Sequence, residues 1–533
     1  MFAKHFAYFS LIPLAYSNPA NPFPAVDLGY AVHVPTYINE TSAGLKYANY
    51  NNIRFAQPPV GNLRFRQPKV PPPKANGIQD GAAPKFSTDC VNAVPGMFGN
   101  IGTPVRSWGR EDCLFLNVRV PEGVKEGDKV PVIHWVHGSA YVYGSKDLNT
   151  IVGDGAGLYD HMSRNQNFIY VASNYRLGLY GWSSSPTEED MDANVGLHDV
   201  LAALQWTQKY ISKFGGDPKQ ITAFGSSAGA GAINLLTVAR NGNEDLPFRQ
   251  AFIASPCVWP RREPSRRQAV FNEVLKAANC QSLNCLRSAS EKTLFDANSY
   301  LVVNVSDGRT GAMGPGAGFA PVVDGKYIRD FLPILLSEGK VNKKVKRVAV
   351  SNMENEGTTM SPPGGMPGIF PSLVRGTIPK ASDQTIQKIQ SLYQYPPNLP
   401  VKLGWDWMTD ISFACNAYYT AKQFKNQAQR HVMTIPPAIH ALDQAYWFYQ
   451  NDQITPVANV TIARQFQEYV RRFVTGKENS NEYKGLEDWP KYGPKATIFN
   501  VTLDGFQKQR DYWDINNRCD ILKDIIFDPE NGA

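Results

Sequence analysis

The sequence predicts an α/β fold in which a large, mostly parallel sheet carries helices on both faces. Apolar runs of strand length recur along the chain, separated by segments with helical apolar spacing or by turns rich in glycine and proline. Strands that alternate with helices in this way build parallel sheets, because each connecting helix packs back onto a sheet face. The apolar runs lie at 130–136, 168–172, 221–224, 251–254 and 345–350.

The segment 198–213 illustrates the helices expected between these strands. Its apolar residues Leu201, Leu204 and Ile211 fall at helical spacing. The residues Gly-Gly-Asp-Pro at 215–218 then end the predicted helix, because glycine and proline do not continue it. The next strand follows directly.

The composition favours one globular domain with a large core. The chain has 533 residues, of which 43% are hydrophobic and 19% are charged, so disorder is not indicated. Strand-like segments resume after the glycine- and proline-rich stretches at 311–318 and 362–368, so these are interpreted as loops and residues 18–533 as a single domain. The net charge of +7 is spread along the chain apart from a cluster at 340–347. We interpret that cluster as a solvated surface turn rather than a nucleic-acid-binding patch.

The segment 225–229, Gly-Ser-Ser-Ala-Gly, is the strongest chemical motif of the chain. It follows a strand-like run that ends at Phe224, and a run of small residues then opens a helix. Glycines two positions before and after Ser227 let the backbone pass closely on both sides of a tight strand-to-helix turn. Such a nucleophile elbow presents the serine hydroxyl beside a helix N-terminus, where developing negative charge is favoured. Taken alone, the motif is equally compatible with a turn before a core helix.

Residues 1–17 have the organisation of a secretory signal peptide. A short positive start precedes an apolar run at 6–15 that is too short to span a bilayer, and small residues at 15 and 17 offer a cleavage site. No later segment is long and apolar enough for stable membrane insertion, so we expect a secreted protein. Four glycosylation sequons agree with this expectation, and their asparagines are Asn39, Asn304, Asn459 and Asn500.

The seven cysteines include no Cys-x-x-Cys pair, and no cluster of cysteine and histidine suggests a metal site. In an oxidising compartment we expect up to three disulfides and one free thiol. The spacing of the cysteines alone leaves their pairing open.

Five segments in order along the chain resemble one protein family. They are 54–65 (Arg-Phe-Ala-Gln-Pro-Pro-Val-Gly-Asn-Leu-Arg-Phe), 111–118 (Glu-Asp-Cys-Leu-Phe-Leu-Asn-Val), 174–178 (Asn-Tyr-Arg-Leu-Gly), 214–218 and 225–229. Together they resemble the type-B carboxylesterase/lipase family of the α/β-hydrolase superfamily, which includes cholinesterases and secreted fungal lipases. The resemblance implies an α/β-hydrolase fold, hydrolysis of carboxylic esters, and neither a metal nor an organic cofactor.

The resemblance also implies a catalytic triad in the chain order serine, acid, histidine. Only His431 and His440 follow the elbow. The segment 437–443 is similar to the family's base segment, so His440 is the expected base, and His431 is interpreted as a surface or strand-edge residue. The family places its acid directly before a glycine at a strand end, which selects Glu356 and leaves Glu354 as the nearby alternative.

In this family, backbone N–H groups bind the oxyanion. By resemblance the donors are Ala228, after the nucleophile, and Ser139 and Ala140, in the loop after the 130–136 strand. The family loop usually consists of glycines, so a non-glycine residue held at positive φ would be strained here. Ser226 stands where the family often has glutamate, which removes a charge near the acyl site.

The resemblance implies three disulfides and leaves Cys257 free. The expected pairs are Cys90–Cys113, Cys280–Cys285 and Cys415–Cys519. The first closes a loop that forms either a small lid or a wall of the substrate gorge. Two pairs of residues resemble the structural ion pairs of the family, Arg176 with Asp199 and Arg64 with Glu111.

The sequence therefore predicts a secreted serine hydrolase acting on a small-molecule or lipid ester through Ser227, His440 and Glu356. We favour a carboxylesterase; a lipase, a sterol esterase, or an esterase or acyl transferase of a fungal secondary-metabolite pathway stays open. A non-catalytic binding protein on the same fold is the hypothesis from another class, and the presence of all three triad residues disfavours it. No nucleic-acid partner is expected, and the sequence leaves the oligomeric state unknown.

Overall fold

A computed structural model describes residues 23–84, 87–98, 106–148, 155–161, 167–259, 263–304, 318–360, 370–393, 400–477 and 486–533. The predicted signal peptide at 1–17 lies outside these residues and stays a prediction. Residues 99–105 of the loop between Cys90 and Cys113 also lie outside them, so the lid or gorge-wall role of that loop stays a prediction too. Within the described part of the chain, no helix is long and apolar enough to cross a membrane.

Strands of the described residues form one central sheet of eleven strands and two small sheets of three and two strands. In chain order they are β1 (Val26–Asp27), β2 (Val32–His33), β3 (Tyr37–Glu40), β4 (Lys46–Arg54), β5 (Ile78–Gln79), β6 (Asn92–Ala93), β7 (Ser107–Trp108), β8 (Phe115–Pro121), β9 (Val130–Val136), β10 (Ile169–Ser173), β11 (Gly216–Ser226), β12 (Gln250–Ala254), β13 (Arg347–Met353), β14 (Ala428–Met433), β15 (Thr497–Thr502) and β16 (Gly505–Arg510).

The central sheet has the spatial order β16-β15-β14-β13-β12-β11-β9-β10-β8-β4-β3. From β10 to β15 every neighbouring pair is parallel. The strand β16 at one edge and the strands β8, β4 and β3 at the other pair antiparallel. The predicted α/β class with a mostly parallel sheet is confirmed, and the antiparallel edges come from strands that need no crossover helix.

Helices lie between the parallel strands and at the C-terminal end of the chain. They are α1 (Ala156–His161), α2 (Gly178–Trp182), α3 (Val195–Tyr210), α4 (Ala228–Gly242), α5 (Pro264–Ala277), α6 (Leu283–Ser288), α7 (Glu291–Asn304), α8 (Leu332–Ser337), α9 (Gly357–Met360), α10 (Phe370–Thr377), α11 (Asp383–Ser391), α12 (Pro400–Thr409), α13 (Cys415–Phe424), α14 (Leu442–Trp447), α15 (Val460–Thr475), α16 (Tyr512–Asn516) and α17 (Arg518–Ile526). A π-helical turn, Asp410–Ala414, joins α12 to α13.

Two hydrophobic cores cover the two faces of the sheet. Trp135, Phe224 and Phe252 point from the inner strands into one core, which α15 closes with residues such as Phe466. Their strand neighbours, among them Val136, point into the other core with residues of α3 and α4. This alternation follows from the two-residue period of a strand and explains why the inner strands carry apolar residues on both faces.

Four of the loops that carry the candidate site follow the carboxyl ends of parallel strands, which all lie on the same side of the sheet. They follow β9, β11, β13 and β14. These loops hold every residue predicted for the triad and the oxyanion site, namely Ser139, Ala140, Ser227, Ala228, Glu356 and His440.

The prediction for His431 is wrong. It is not a surface or strand-edge residue, because it is 1% exposed and lies in β14, where it pairs with Ser351 of β13 and Phe499 of β15. The preceding residue, Arg430, is buried as well and pairs with Asp511 over 2.9 Å. The sequence of β14 is polar because the buried Arg430 is neutralised by Asp511, which lies far away in the sequence.

Three disulfides stabilise the described fold. They join Cys90 to Cys113, Cys280 to Cys285 and Cys415 to Cys519. Cys257 is buried and belongs to none of these disulfides, and its Sγ accepts a hydrogen bond from Nε1 of Trp259 over 3.2 Å.

The four sequon asparagines differ in accessibility. Asn39 and Asn304 are exposed, whereas Asn459 and Asn500 are partly buried. The Asn459 side chain caps α15 by accepting from the Ile462 N–H. Glycosylation at all four positions stays a prediction.

Candidate active site

Ser227 lies in a sharp turn between β11 and α4, with φ 57° and ψ −124°. Its N–H donates to the carbonyl of Ala254 over 2.9 Å, which ties the turn to the neighbouring strand. The two flanking glycines are needed for space. A Cβ atom at Gly225 would lie 2.7 Å from the Gly229 carbonyl carbon, and a Cβ at Gly229 would collide with the carbonyl oxygen of Val136.

His440 reaches the serine from the loop after β14. Its Nε2 lies 2.8 Å from the Oγ of Ser227. On the other side of the ring, Nδ1 lies 2.5 Å from Oε2 of Glu356. A carboxylate only accepts hydrogen bonds, so Nδ1 carries the proton and Nε2 is left as the acceptor for the serine hydroxyl.

Glu356 is fully buried and follows the end of β13. Its second oxygen, Oε1, accepts from the backbone N–H of Met353 over 2.7 Å. Glu354 is exposed. The structure therefore brings Ser227, His440 and Glu356 together and leaves the alternative Glu354 outside the site.

This arrangement can transfer a proton. A histidine with one nitrogen on a hydroxyl and the other on a buried carboxylate can accept the hydroxyl proton, and the carboxylate stabilises the resulting positive ring. The ring is held from a third side by Phe413, whose centroid lies 4.4 Å from that of His440.

The loop after β9 passes directly beside the serine. A Cβ atom at Gly138 would lie 2.9 Å from the Cβ of Ser227. The next residues, Ser139, Ala140 and Tyr141, have φ of 80°, 54° and 65°. Non-glycine residues rarely adopt this region, so the strain expected from the sequence is present at three consecutive positions.

Hydrogen bonds hold this strained loop in place. The carbonyl of Ser139 accepts from the backbone N–H groups of Val142 and Tyr143. The hydroxyl of Tyr141 donates to the carbonyl of Cys257 over 2.6 Å, and that of Tyr175 donates to the carbonyl of His137 over 3.0 Å. Strained backbone persists where surrounding contacts fix it, and such strain concentrates at functional sites.

Ala228 is the first residue of α4, so its N–H has no intrahelical acceptor. Among the described residues, no hydrogen-bond acceptor is found for the backbone N–H of Ser139 or of Ala140. The N-terminus of α4 adds a dipole that favours negative charge beside Ser227.

Two side chains near the histidine are absent from the sequence-based prediction. Gln444 donates from Nε2 to the Oγ of Ser226 over 2.9 Å, so the residue that replaces the family's glutamate has a specific partner. Asp443 is fully buried. Burial, together with the charge of Glu356, raises the pKa of Asp443 well above its ordinary value. The resemblance marked position 443 only as part of a motif.

The predicted ion pairs are present and lie away from the reacting atoms. Arg176 and Asp199 form a bidentate pair with two bonds of 2.7 Å, and Arg64 pairs with Glu111 over 2.7 Å. Among the described residues, no group of three or more histidine, cysteine, aspartate or glutamate side chains is placed to hold a metal ion.

Known proteins resemble this chain over nearly its whole length. The model of the Carboxylesterase family matches residues 36–515. Carboxylesterase patB of Aspergillus clavatus is 30% identical over 97% of this chain and 98% of its own length. A secreted lipase of Arthroderma benhamiae is 28% identical over 79% of this chain and 83% of its own length. The crystal structure of Aspergillus niger EstA matches with a TM-score of 0.77 and 23% identity, covering 95% of this chain and 99% of that chain.

The fold and these matches define a carboxylic ester hydrolase with the α/β-hydrolase fold. The chain belongs to the carboxylesterase family. The predicted family, fold and class of activity are therefore confirmed.

Proposed function

We propose that this protein hydrolyses esters through an acyl-enzyme formed on Ser227. Nε2 of His440 takes the hydroxyl proton as the serine oxygen bonds to the ester carbonyl carbon. The proton then passes to the alcohol oxygen, the bond between the carbonyl carbon and that oxygen breaks, and the alcohol leaves. Water attacks the acyl-enzyme by the same route, which releases the acid and restores the serine.

The observation that carries this proposal is the continuous line of contacts from serine to carboxylate. Ser227 Oγ lies 2.8 Å from His440 Nε2, and His440 Nδ1 lies 2.5 Å from Glu356 Oε2. The serine is 6% exposed and the glutamate is fully buried. Low solvent access strengthens the interaction between the carboxylate and the positive ring that forms during attack.

The developing oxyanion binds to the backbone N–H groups of Ser139, Ala140 and Ala228. Backbone donors of this kind are fixed before the reaction and need no reorganisation during it. The side chains of the loop do not take part, so serine and alanine can stand where the family usually has glycine. The surrounding hydrogen bonds offset the strain of the loop.

We place the substrate among small soluble carboxylic esters. The matched carboxylesterase covers almost the full length of this chain, whereas the matched lipase covers a smaller part of it. A series of p-nitrophenyl esters of increasing chain length, presented in solution and as emulsions, separates the two classes. A carboxylesterase acts best on the soluble short esters, and a lipase gains activity at the interface.

We propose that the protein enters the secretory pathway. Disulfides persist in oxidising compartments, and the described residues contain three. Residues 1–17 supply the expected signal, and one relative is named as a secreted lipase. Expression in a secreting host, followed by N-terminal sequencing of protein from the medium, tests both the secretion and the cleavage site.

A comparison of the wild-type protein with Ser227→Ala tests the catalytic proposal. On soluble p-nitrophenyl acetate and butyrate we expect turnover by the wild type, and a loss of at least about 1000-fold in kcat for the variant. Ser226→Ala is the matched control, because it removes the neighbouring hydroxyl. Equal loss in both variants, or less than tenfold loss in Ser227→Ala, contradicts the assignment of the nucleophile.

A further inference from the structure

One helical run contacts the His440 ring and groups that adjoin Ser227 and Glu356. It consists of α12, the π-helical turn Asp410–Ala414 and α13. A π-turn holds one more residue than an α-turn, and such turns are frequent at functional sites. The residues of the run that make these three contacts lie within five consecutive positions, 409–413.

The first contact supports the acid. The hydroxyl of Thr409 accepts from the backbone N–H of Gly357 over 2.9 Å, and Gly357 directly follows Glu356. A Cβ atom at Gly357 would collide with the carbonyl oxygen of Trp405. The end of β13 is therefore in close backbone contact with α12 where it presents the acid.

The second and third contacts support the serine and the base. The carbonyl of Ser412 accepts from the N–H of Val258 over 3.3 Å, and the preceding residue, Cys257, donates its N–H to the carbonyl of Ser227 over 3.1 Å. The next residue of the turn, Phe413, is fully buried and lies against the ring of His440. A shift of this turn would move groups on both sides of the bond between serine and histidine.

The turn is itself fixed by the C-terminal part of the chain. The carboxylate of Asp410 is fully buried. It accepts from Nε of Arg518 over 2.6 Å, from Nε1 of Trp513 over 2.7 Å and from the hydroxyl of Tyr393 over 2.9 Å. Arg518 begins α17, and the residue after it, Cys519, forms the disulfide with Cys415, one residue beyond the turn.

We propose that Arg518 is a positioning residue for the hydrolysis. Through its ion pair with Asp410 it fixes the π-helical turn that sets the ring of His440 between Phe413 and Ser227. This role rests on the triad proposed above. A misplaced catalytic group lowers the rate of a bound substrate more than it weakens binding, because geometry matters most in the transition state.

Three variants test this role, each assayed for kcat and KM on a soluble p-nitrophenyl ester and for the rate of labelling by a fluorophosphonate probe. Arg518→Met removes the ion pair, and Phe413→Leu removes the ring on His440 while leaving the pair. Asp410→Asn combined with Arg518→Met avoids an unpaired buried charge, which is the main threat to folding. We expect kcat and the labelling rate to fall by about 10- to 100-fold with KM changed less than about threefold. Arg518→Lys should recover part of the loss.

Arg471→Met is the control. Arg471 also forms a buried ion pair, with Glu468 over 2.7 Å, but on the far side of the sheet within α15. The Arg471→Met variant should have a lower thermal midpoint, and the kinetics of its folded fraction should not change. If the folded double variant keeps the wild-type kcat and labelling rate, the positioning role of Arg518 is wrong whatever the result for Phe413→Leu, while the triad stands as long as the wild type is labelled. A wild type that neither turns over nor labels would instead overturn the proposed function.

Discussion

Gln444 donates a hydrogen bond of 2.9 Å to Ser226, and this bond joins the segment that carries Ser227 to the segment that carries His440. Ser226 directly precedes the nucleophile, and Gln444 follows the base by four residues. Ser226 is 1% exposed, so the bond forms away from bulk water. The neutral serine that replaces the family's glutamate is therefore part of a contact between the elbow and α14, the helix that follows the histidine.

This contact predicts coupling between the two residues in catalysis. Ser226→Ala and Gln444→Met should each lower kcat/KM, and the double variant should lose little more than either single variant. A neutral hydrogen bond contributes about 1 kcal/mol, so the coupling corresponds to about a fivefold effect in kcat/KM. Steady-state kinetics of the four proteins measures it, and purely additive losses would show that the bond has no catalytic role.

Asp443 is predicted to hold its proton more tightly than an ordinary aspartate does. Burial and the charge of Glu356 raise its pKa, so the folded state holds the proton more tightly than the unfolded state does. The contribution of Asp443 to the stability of the fold is thus lost as the pH rises above the pKa that this residue has in the unfolded state. Asp443→Asn keeps the shape without the charge. The variant should retain kcat within about threefold and should gain stability over the wild type as the pH rises from 5 to 8. A large loss of activity would mean that the charged form is needed.

The burial of His431 predicts that the fold loses stability in acid. Burial, with the charge of Arg430, lowers its pKa from 6.5 to about 3, and neither ring nitrogen has a hydrogen-bond partner among the described residues. The unfolded state therefore takes up the proton first, and stability falls as the pH drops below about 6.5. At pH 5 the loss is about 2 kcal/mol.

His431→Leu, which is similar in volume, should remove this part of the loss. Thermal midpoints at pH 5 and pH 7 measure it, and the gap between the two should be smaller in the variant. Phe499→Leu is the control on the neighbouring strand β15, because it changes packing without a titrating group. An unchanged gap in the histidine variant would contradict the expected titration.

The backbone conformation of Ala140 predicts that glycine is tolerated at this position of the oxyanion loop. Its φ of 54° costs an alanine about 1–2 kcal/mol relative to the right-handed conformation, and glycine avoids this cost. Because the N–H is the donor, Ala140→Gly should keep kcat/KM within about twofold and should not lower the thermal midpoint. Ala496→Gly, at a φ of 48° far from the site in sequence and fold, controls for the release of strain alone. A tenfold loss confined to Ala140→Gly would show that its methyl group takes part.

The sequence predicted the class of fold and the assignments for Ser227, Glu356 and His440 because these depend on local patterns in a fixed chain order. The resemblance also supplied the cysteine pairs that the structure joins. It could not supply Phe413 or Gln444, because their roles depend on which side chains meet after folding. The error for His431 has the same origin: its strand has polar residues whose partners, such as Asp511, lie far away in the sequence.

The site of covalent labelling tests the assignment of Ser227 as the nucleophile most directly. Folded wild-type protein is treated with a fluorophosphonate, digested, and examined by mass spectrometry for the modified residue. We expect a single adduct on Ser227, with no adduct on Ser226 and none in His440→Ala over the same time. An adduct on Ser226, or a protein that hydrolyses esters without any adduct on Ser227, would contradict this assignment.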